Sequence, residues 1–174
     1  MGTDIYFLCG QGDAATSPGI VSMAVRARAV PDARVRIFYW NDWQEIIADA
    51  ASRKDISTRL AVSYSLGANA LTWVLGGVVA QGIAVLGVEV KFDWAAFIDP
   101  TTLSNVTPLG ANLGAALHFH NNSLDPVGHA SLVAGSGFSA ANLEVVETYL
   151  PHLTLDVDST IQGRIMDEIN RRTT

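Results

Sequence analysis

Short apolar runs alternate along the chain with longer segments whose apolar residues recur at helical spacing. The short runs are rich in β-branched and aromatic residues, which favour strands. Five runs predict strands, at residues 4–9, 34–40, 58–64, 92–98 and 115–121. Because helical segments separate most of these runs, the pattern predicts parallel strands joined by crossover helices.

Polar residues mark where the first helices begin. The serine–proline pair at 17–18 is typical of an N-cap followed by proline in the first turn, and it predicts a helix to about Arg28. Asn41 with Gln44 resembles a capping box for a second helix that runs to about Ser52.

The second half of the chain is less regular. Asn105 to Gly114 has the composition of a loop, and residues 128–150, rich in Gly, Ser and Ala, fit neither a helix nor a strand pattern clearly. Asp158 or Ser159 caps a last amphipathic helix that ends at about Arg171. The whole pattern predicts a three-layer α/β/α sandwich with a mostly parallel sheet of about five or six strands.

Residues 67–88 contain no charged side chain and are numerous enough to cross a bilayer. Polar residues such as Asn69 and Gln81 interrupt the segment, and no basic flank follows it until Lys91. We therefore interpret it as a helix buried against the sheet and then a loop, and we expect no membrane span.

Composition narrows the possible partners. A chain of 174 residues suits one domain, spanning 1–174, with a sizeable core. Its net charge of −6, without any basic block, makes nucleic acid an unexpected partner. The single cysteine, Cys9, cannot form an internal disulfide, and no basic segment leads into an apolar run at the start. We expect a cytoplasmic location.

The segment from Leu60 to Asn69 has a more specific pattern. It is an apolar strand followed by Ser63-x-Ser65-x-Gly67 and then a helix, which is the layout of a nucleophile elbow. That turn requires small residues two positions before and two positions after the nucleophile, and serine is the smallest choice after glycine. Ser65 is therefore a candidate nucleophile. The alternative is a strand that ends in polar residues, with Gly67 as an ordinary turn glycine.

A serine nucleophile needs a base to take its proton, and the chain has four histidines. His118 and His120 share one face of a strand, but they lack a third ligand at metal-binding spacing, so we expect no metal. His129 lies in a glycine-containing loop and could be near the pocket. His152 is the favoured base because it follows the predicted strands and precedes the final helix. The alternative is a histidine with no role beyond its loop.

Two aspartates compete for the third position, the carboxylate that orients the base. Asp99 ends the fourth strand, and Asp125 follows the fifth. We favour Asp99 because an acid at the end of a buried strand is better oriented than one in a turn. Each precedes a proline, so either could instead initiate a turn.

An oxyanion hole would use the backbone amides of Leu66 and Gln11. Gly10 and Gly12 would allow the turn that contains Gln11 to approach a substrate closely, although a plain Gly-x-Gly turn is an alternative. The spacing is not that of a dinucleotide-binding loop, and we expect no cofactor.

Three stretches resemble the α/β-hydrolase superfamily, and most of all its small, lidless, cutinase- and thioesterase-like members from bacteria or phages. Tyr-Phe-Leu-Cys-Gly-Gln-Gly-Asp resembles the loop that supplies one oxyanion amide, and Ser-Tyr-Ser-Leu-Gly resembles the elbow usually written G-H-S-L-G. Pro151-His152-Leu-Thr-Leu-Asp, before a terminal helix, resembles the loop of the catalytic histidine. Ser63 and Tyr64 depart from the elbow pattern.

The resemblance implies a serine esterase or thioesterase with a small-molecule or acyl substrate and an acyl-enzyme on Ser65. Most of the superfamily places the acid after the strand just before the histidine, which favours Asp125. The small members carry a similar Ile-Asp-Pro one strand earlier, which favours Asp99. Two other hypotheses are a non-catalytic binding or assembly module on a degenerate hydrolase scaffold, and acyl transfer to an acceptor other than water.

Overall fold

A computed structural model describes residues 2–76 and 90–174. The strands in this part of the chain are β1 Gly2–Leu8, β2 Ala33–Phe38, β3 Ile56–Tyr64, β4 Phe92–Ile98, β5 Leu113–Asn121 and β6 Leu143–Thr148. The α-helices are α1 Pro18–Ala27, α2 Trp43–Ser52, α3 Leu66–Leu75 and α4 Ser159–Thr173. All five predicted strands are present.

The six strands form one parallel sheet in the order β2-β1-β3-β4-β5-β6. The chain runs from β1 outward to β2 and then crosses back to the other side of β1, where β3 lies. The connections that leave β1 and β3 therefore go to opposite faces of the sheet. Such a switch point opens a crevice beyond the carboxyl ends of the two strands, where α/β proteins bind ligands.

Two apolar cores lie on the two faces of the sheet, because successive strand residues point to opposite sides. Ile5, Phe7 and Val62 pack against α1 and α4 on one face. Tyr6 and Leu8 pack with α2 and α3 on the other. The fold is the expected three-layer α/β/α sandwich.

The strand β6 was not predicted, because it lies inside the stretch 128–150, whose pattern was ambiguous. Among the described strands it pairs only with β5 and forms an edge of the sheet. Its side chains are exposed or half-buried, and glutamates interrupt its apolar residues, so it lacks the continuous apolar run of the central strands.

The capping box predicted from Asn41 and Gln44 is wrong. The chain first makes a turn in which the Asp42 amide donates to the Tyr39 carbonyl at 3.0 Å, so the helix begins later, at Trp43. Asp42 is its N-cap residue, and the Asp42 carboxylate accepts a hydrogen bond from the Tyr39 amide at 2.9 Å.

The other predicted helix starts are present. Ser17 precedes α1, although its hydroxyl accepts from the amide of Gly10, at 2.9 Å, and caps no helix amide. Asp158 caps α4, because its carboxylate accepts from the amides of Thr160 and Ile161. The cap is therefore Asp158, one of the two residues considered.

The uncharged segment 67–88 is described only in part. Its first residues belong to α3, which is almost entirely buried, and the part predicted as a loop, residues 77–88, lies outside the described residues. Within 2–76 and 90–174, no helix is both long and apolar enough to cross a membrane.

Candidate active site

Ser65 occupies a sharp turn between β3 and α3. Its backbone has φ 57° and ψ −129°, a conformation that non-glycine residues adopt only when the surrounding structure imposes it. The Ser65 amide donates to the carbonyl of Ile98 on β4 at 2.9 Å, and the Ser65 carbonyl accepts from the amides of Ala68 and Asn69 in α3. Hydrogen bonds on both sides thus hold the strained residue in place.

Gly67 and Ser63, the small residues on either side of Ser65, fit their positions for different structural reasons. A Cβ atom on Gly67 would lie 2.5 Å from the carbonyl oxygen of Cys9 and 2.7 Å from that of Leu8, so only glycine fits there. Ser63 is tolerated because its buried hydroxyl donates to the carbonyl of Ala96 on β4 at 3.0 Å. The departure from glycine at Ser63 is therefore accommodated by the neighbouring strand.

Cys9 directly follows β1 in a fully buried position. Burial raises the pKa of its thiol to about 11, so the side chain is a protonated core group at neutral pH.

His152 lies in a 3-10 turn between β6 and α4, and its ring reaches both other predicted members of the triad. Its Nε2 atom is 2.9 Å from Ser65 Oγ, and its Nδ1 atom is 2.6 Å from Asp99 Oδ2. Asp99 directly follows β4 with φ 48°, and its amide donates to the Phe119 carbonyl at 3.0 Å. Its side chain is fully buried. The structure thus brings the three side chains into one hydrogen-bonded row.

Tyr64 supports the same histidine from β3. Its hydroxyl donates to the His152 carbonyl at 2.6 Å, and the two rings stack with centroids 5.1 Å apart. Burial raises the pKa of Tyr64, so it is a protonated donor at any physiological pH. In the sequence, Tyr64 is recognisable only as a departure from the usual elbow. The large side chain of Tyr64, just before the candidate nucleophile, was the one feature of the sequence that could have indicated its contact with His152.

Asp99 has further partners that the sequence analysis did not identify. His129 Nδ1 lies 2.8 Å from Asp99 Oδ1 and 3.0 Å from Oδ2. Asn121, at the end of β5, donates from Nδ2 to Asp99 Oδ2 at 3.1 Å. The carboxylate of Asp99 is therefore fixed from three directions.

Asp125 contacts His152 at the backbone, whereas Asp99 contacts the ring. Asp125 Oδ2 accepts from the His152 amide and from the Ser123 hydroxyl, each at 2.8 Å. Burial acts to raise the pKa of Asp125, but these hydrogen bonds outweigh it and hold the pKa below its ordinary value. The two aspartates compared in the sequence thus hold one histidine at two different points.

The residues predicted for an oxyanion hole lie on the two segments that flank Ser65. Leu66 follows Ser65 at the start of α3. Gln11 follows Gly10, whose hypothetical Cβ would be only 2.8 Å from Ser65 Cβ. The Gln11 turn is fixed by a hydrogen bond from the Thr16 hydroxyl to the Gln11 carbonyl.

The donor atoms of Asp99, His129 and His152 lie within 4.8 Å of one another, close enough to suggest a cation site. However, the nitrogens are 2.6 and 2.8 Å from the carboxylate oxygens, which are direct hydrogen-bond distances. Ligands around tetrahedral zinc are about 3.3 Å apart, so this group would have to spread to hold an ion. We interpret it as a hydrogen-bonded network.

The remaining histidines, His118 and His120, form a separate pair with ring centroids 5.3 Å apart. Burial, with a smaller contribution from His120, lowers the pKa of His118 to about 4, so it is neutral at physiological pH. Within the described part of the chain, neither ring hydrogen-bonds to Ser65 or Asp99.

Comparison with known proteins yields a likeness of fold. No protein-family model matches the sequence, and no curated protein matches it. A solved structure, described as the crystal structure of the lin2722 gene products from Listeria innocua, superposes with a TM-score of 0.58 and 12% sequence identity. The match covers 95% of this chain and 92% of that chain. At this identity it shows a shared α/β fold.

Proposed function

We propose that the protein is a serine hydrolase of the α/β-hydrolase superfamily that cleaves an ester or thioester through an acyl-enzyme on Ser65. The observation that carries the proposal is the row Ser65 Oγ, His152, Asp99, with N···O distances of 2.9 and 2.6 Å. These are the contacts that a nucleophile, a base and an orienting acid require.

In the proposed reaction, His152 Nε2 takes the hydroxyl proton of Ser65 while Oγ attacks the acyl carbonyl carbon. Asp99 accepts the hydrogen bond from His152 Nδ1, fixes that tautomer and stabilises the imidazolium that forms. The tetrahedral intermediate expels the alcohol or thiol, which receives the proton from His152. Water, deprotonated by the same histidine, then attacks the acyl group and releases the acid, and the proton returns to Ser65.

The backbone amides of Gln11 and Leu66 would stabilise the negative charge on the substrate oxygen. The close approach of Gly10 to Ser65 supports this role, because it brings the Gln11 turn beside the nucleophile. The positive φ of Ser65 supports it as well, since strained nucleophile turns expose the serine oxygen at the top of the sheet.

The structure also bears on the non-catalytic alternative. One reason for that hypothesis was Ser63 in place of glycine, with the small, acidic, lidless domain as the other. The hydrogen bond from Ser63 to the Ala96 carbonyl accommodates the serine beside the intact row. The contacts therefore favour an active enzyme with a small-molecule or acyl substrate.

A fluorophosphonate probe tests the proposal directly, because it forms a stable covalent bond only with an activated serine. We expect labelling of the wild-type protein, located at Ser65 by peptide mass mapping. Ser65→Ala should abolish labelling and lower the hydrolysis of short p-nitrophenyl esters by several orders of magnitude, with far-UV circular dichroism unchanged.

Ser57→Ala is the matched control, because Ser57 lies near the opposite end of the same strand, where its hydroxyl donates to the Gly2 carbonyl. It should label like the wild-type protein. Undiminished ester turnover by pure Ser65→Ala protein would rule out the serine mechanism.

A further inference from the structure

His129 is a histidine whose two ring nitrogens both face carboxylates. Its Nδ1 atom is 2.8 Å from Asp99 Oδ1, and its Nε2 atom is 3.2 Å from Asp125 Oδ1. The Nδ1 contact is a hydrogen bond, and because an ionised carboxylate can only accept, it needs a proton on Nδ1. The Nε2 contact is at ion-pair distance, and an unprotonated Nε2 there would place its lone pair beside a carboxylate oxygen, which is repulsive. Both surroundings favour a proton, so the geometry favours an imidazolium over a neutral ring.

We propose that His129 is a cationic positioning residue that ties the acid of the triad, Asp99, to Asp125 and thereby sets the pH range in which His152 works as a base. The inference rests on the proposed function and adds a component to it. His129 does not contact Ser65 in the described structure, so its role is to act through Asp99 and His152.

The contacts form a closed ring. His152 Nδ1 binds Asp99, Asp99 binds His129, His129 binds Asp125, and Asp125 binds the backbone amide of His152 at 2.8 Å. One imidazolium therefore joins the two carboxylates that hold His152 at its ring and at its backbone. Removing the charge of His129 would leave two like-charged carboxylates facing the same space.

The segment around His129 is held to the chain that follows Asp99. His129 forms an antiparallel bridge with Thr101, and the amide of Ala130 donates to the carbonyl of Pro100 at 2.7 Å. The side chain of His129 is only 10% exposed. The ring is thus placed by the backbone and shielded from water, which strengthens its interaction with nearby charges.

Three titratable groups face His129. Asp99 comes from the end of β4, Asp125 from the same loop as His129, and His152 from the turn before α4, with its ring centroid 6.3 Å away. Two carboxylates and one imidazolium give the resting group a charge of −1, which becomes zero when His152 takes the proton of Ser65. Without the cation, protonation of His152 would become easier, and His152 would lose its role as a base at a higher pH.

The protonation of His129 can be measured by a method that does not depend on enzyme activity. In the full chain with ¹⁵N-labelled imidazole rings, two-dimensional NMR should show both nitrogens of His129 protonated at pH 7.5. Asp125→Asn removes one of the two carboxylates and should lower the fraction of His129 rings that carry protons on both nitrogens at pH 7.5. A His129 ring that is neutral at pH 7.5 in the wild-type protein would overturn the proposal, whether or not Ser65 is labelled by a fluorophosphonate.

The consequence for His152 needs a kinetic measurement. His129→Gln keeps a side chain that can hydrogen-bond to Asp99 but removes the charge. The acidic limb of the rate of fluorophosphonate labelling, measured against pH, should move to higher pH by about one unit. His120→Gln is the matched control and should leave this limb in place, because its ring pairs with His118.

A merely structural role for His129 would lower the labelling rate equally at all pH values and leave the acidic limb where it is, and that result would overturn the proposal. If His129→Gln does not fold, the NMR measurements on the wild-type protein and Asp125→Asn decide the matter. Absent labelling of the wild-type protein would count against the proposed function and leave the NMR result interpretable.

Discussion

Two polar clusters lie at opposite ends of the sheet, and they differ in charge balance and in backbone strain. The first, which we call the amino-edge cluster, lies near the amino ends of β1 and β2 and comprises Asp4, Tyr6, Arg34, Arg36, Asp49 and Arg53. The second, the carboxyl-edge cluster, comprises Ser65, Asp99, Asp125, His129 and His152.

Opposite charges are matched in the amino-edge cluster. Arg34 contacts Asp4 at 2.9 Å and also contacts Asp49, while Arg36 and Arg53 supply further cations. Burial acts to raise the pKa of Asp49, but the hydrogen bonds from Arg34 and Tyr6 lower it below its ordinary value. Every ion pair here uses the guanidinium of arginine, which stays positively charged throughout the physiological pH range.

The carboxyl-edge cluster has two carboxylates and only imidazoles to balance them. Two of its residues, Ser65 and Asp99, have positive φ angles, whereas no residue of the amino-edge cluster does. Strain and groups that readily exchange protons are typical of functional sites, whereas relaxed pairs of fixed charge are typical of structural ones. The contrast supports the catalytic role proposed for the carboxyl-edge cluster and a stabilising role for the amino-edge cluster.

The strongest test of this division separates the two aspartates of the carboxyl-edge cluster. Asp99→Asn should lower kcat for short p-nitrophenyl esters by about four orders of magnitude, because a neutral amide cannot stabilise the imidazolium of His152. Asp125→Asn should lose less than about a hundredfold, since its contact is with the His152 backbone. A nearly normal Asp99→Asn beside an inactive Asp125→Asn would reverse the assignment of the acid.

A matching substitution in the amino-edge cluster should affect stability instead. Asp4→Asn leaves Arg34 and Arg53 without their buried carboxylate and should lower the free energy of unfolding by about 3 kcal/mol, measured by urea denaturation. The kcat of folded Asp4→Asn protein should equal that of the wild type. Asp55→Asn, at an exposed position, is the control and should change neither quantity.

His118, a buried histidine outside both clusters, should show how pH acts on stability where burial outweighs the attraction of a nearby carboxylate. His118 has a pKa of about 4 because of its burial, and the unfolded chain takes up that proton near pH 6.5. His118 therefore does not lower the free energy of unfolding above pH 6.5, where it is neutral in both states. As the pH falls towards 4, the unfolded chain binds the proton first and the free energy of unfolding decreases. The loss in free energy of unfolding should be about 3 kcal/mol.

Replacing His118 with glutamine isolates this contribution, because it removes the titrating group and keeps a polar side chain. The difference in unfolding free energy between the wild type and His118→Gln, measured at several pH values, should fall between pH 6.5 and 4. A pH-independent difference would contradict the prediction. His120→Gln is the control for a general effect on β5.

The smallest expected effect tests how Tyr64 links the core to the carboxyl-edge cluster. Tyr64→Phe removes the 2.6 Å hydrogen bond to the His152 carbonyl and leaves that oxygen with only the longer one that it accepts from the Leu155 amide, at 3.3 Å. We expect a loss of about 1 kcal/mol in the free energy of unfolding. The kcat should fall several-fold, because the stacked ring remains to hold His152. A loss in kcat as large as that of Asp99→Asn would mean that Tyr64 itself takes part in the reaction.

Much of the sheet and the central row of the site were predictable from the sequence. Buried parallel strands leave continuous apolar runs, and polar residues that directly follow such runs meet at one edge of the sheet. The elbow pattern gave Ser65, and the end of a buried strand, together with the family resemblance, favoured Asp99. The position of His152 before the last helix completed the set. The structure places the three in hydrogen-bonding contact.

The remaining features, which are the position of His129, the strand β6 and the start of α2, depend on contacts that the hydrophobic pattern does not show. His129 reaches Asp99 because its loop bridges to Thr101, a pairing between two irregular segments. β6 was missed because an edge strand is half-exposed and needs no continuous apolar run. The helix start at Trp43 was displaced by a local turn that Asp42 closes. In each case a tertiary or turn contact decided the outcome, and local preference alone was insufficient.

The buried position of Cys9 has a practical consequence for experiments on this protein. It is the only cysteine in the chain, and its thiol is inaccessible and protonated at neutral pH. Maleimide or nitroxide reagents at pH 7 should therefore spare it. A cysteine introduced at an exposed position such as Leu153, next to His152, would react selectively. Fluorescent or paramagnetic reporters can thus be attached beside the proposed catalytic centre without replacing Cys9.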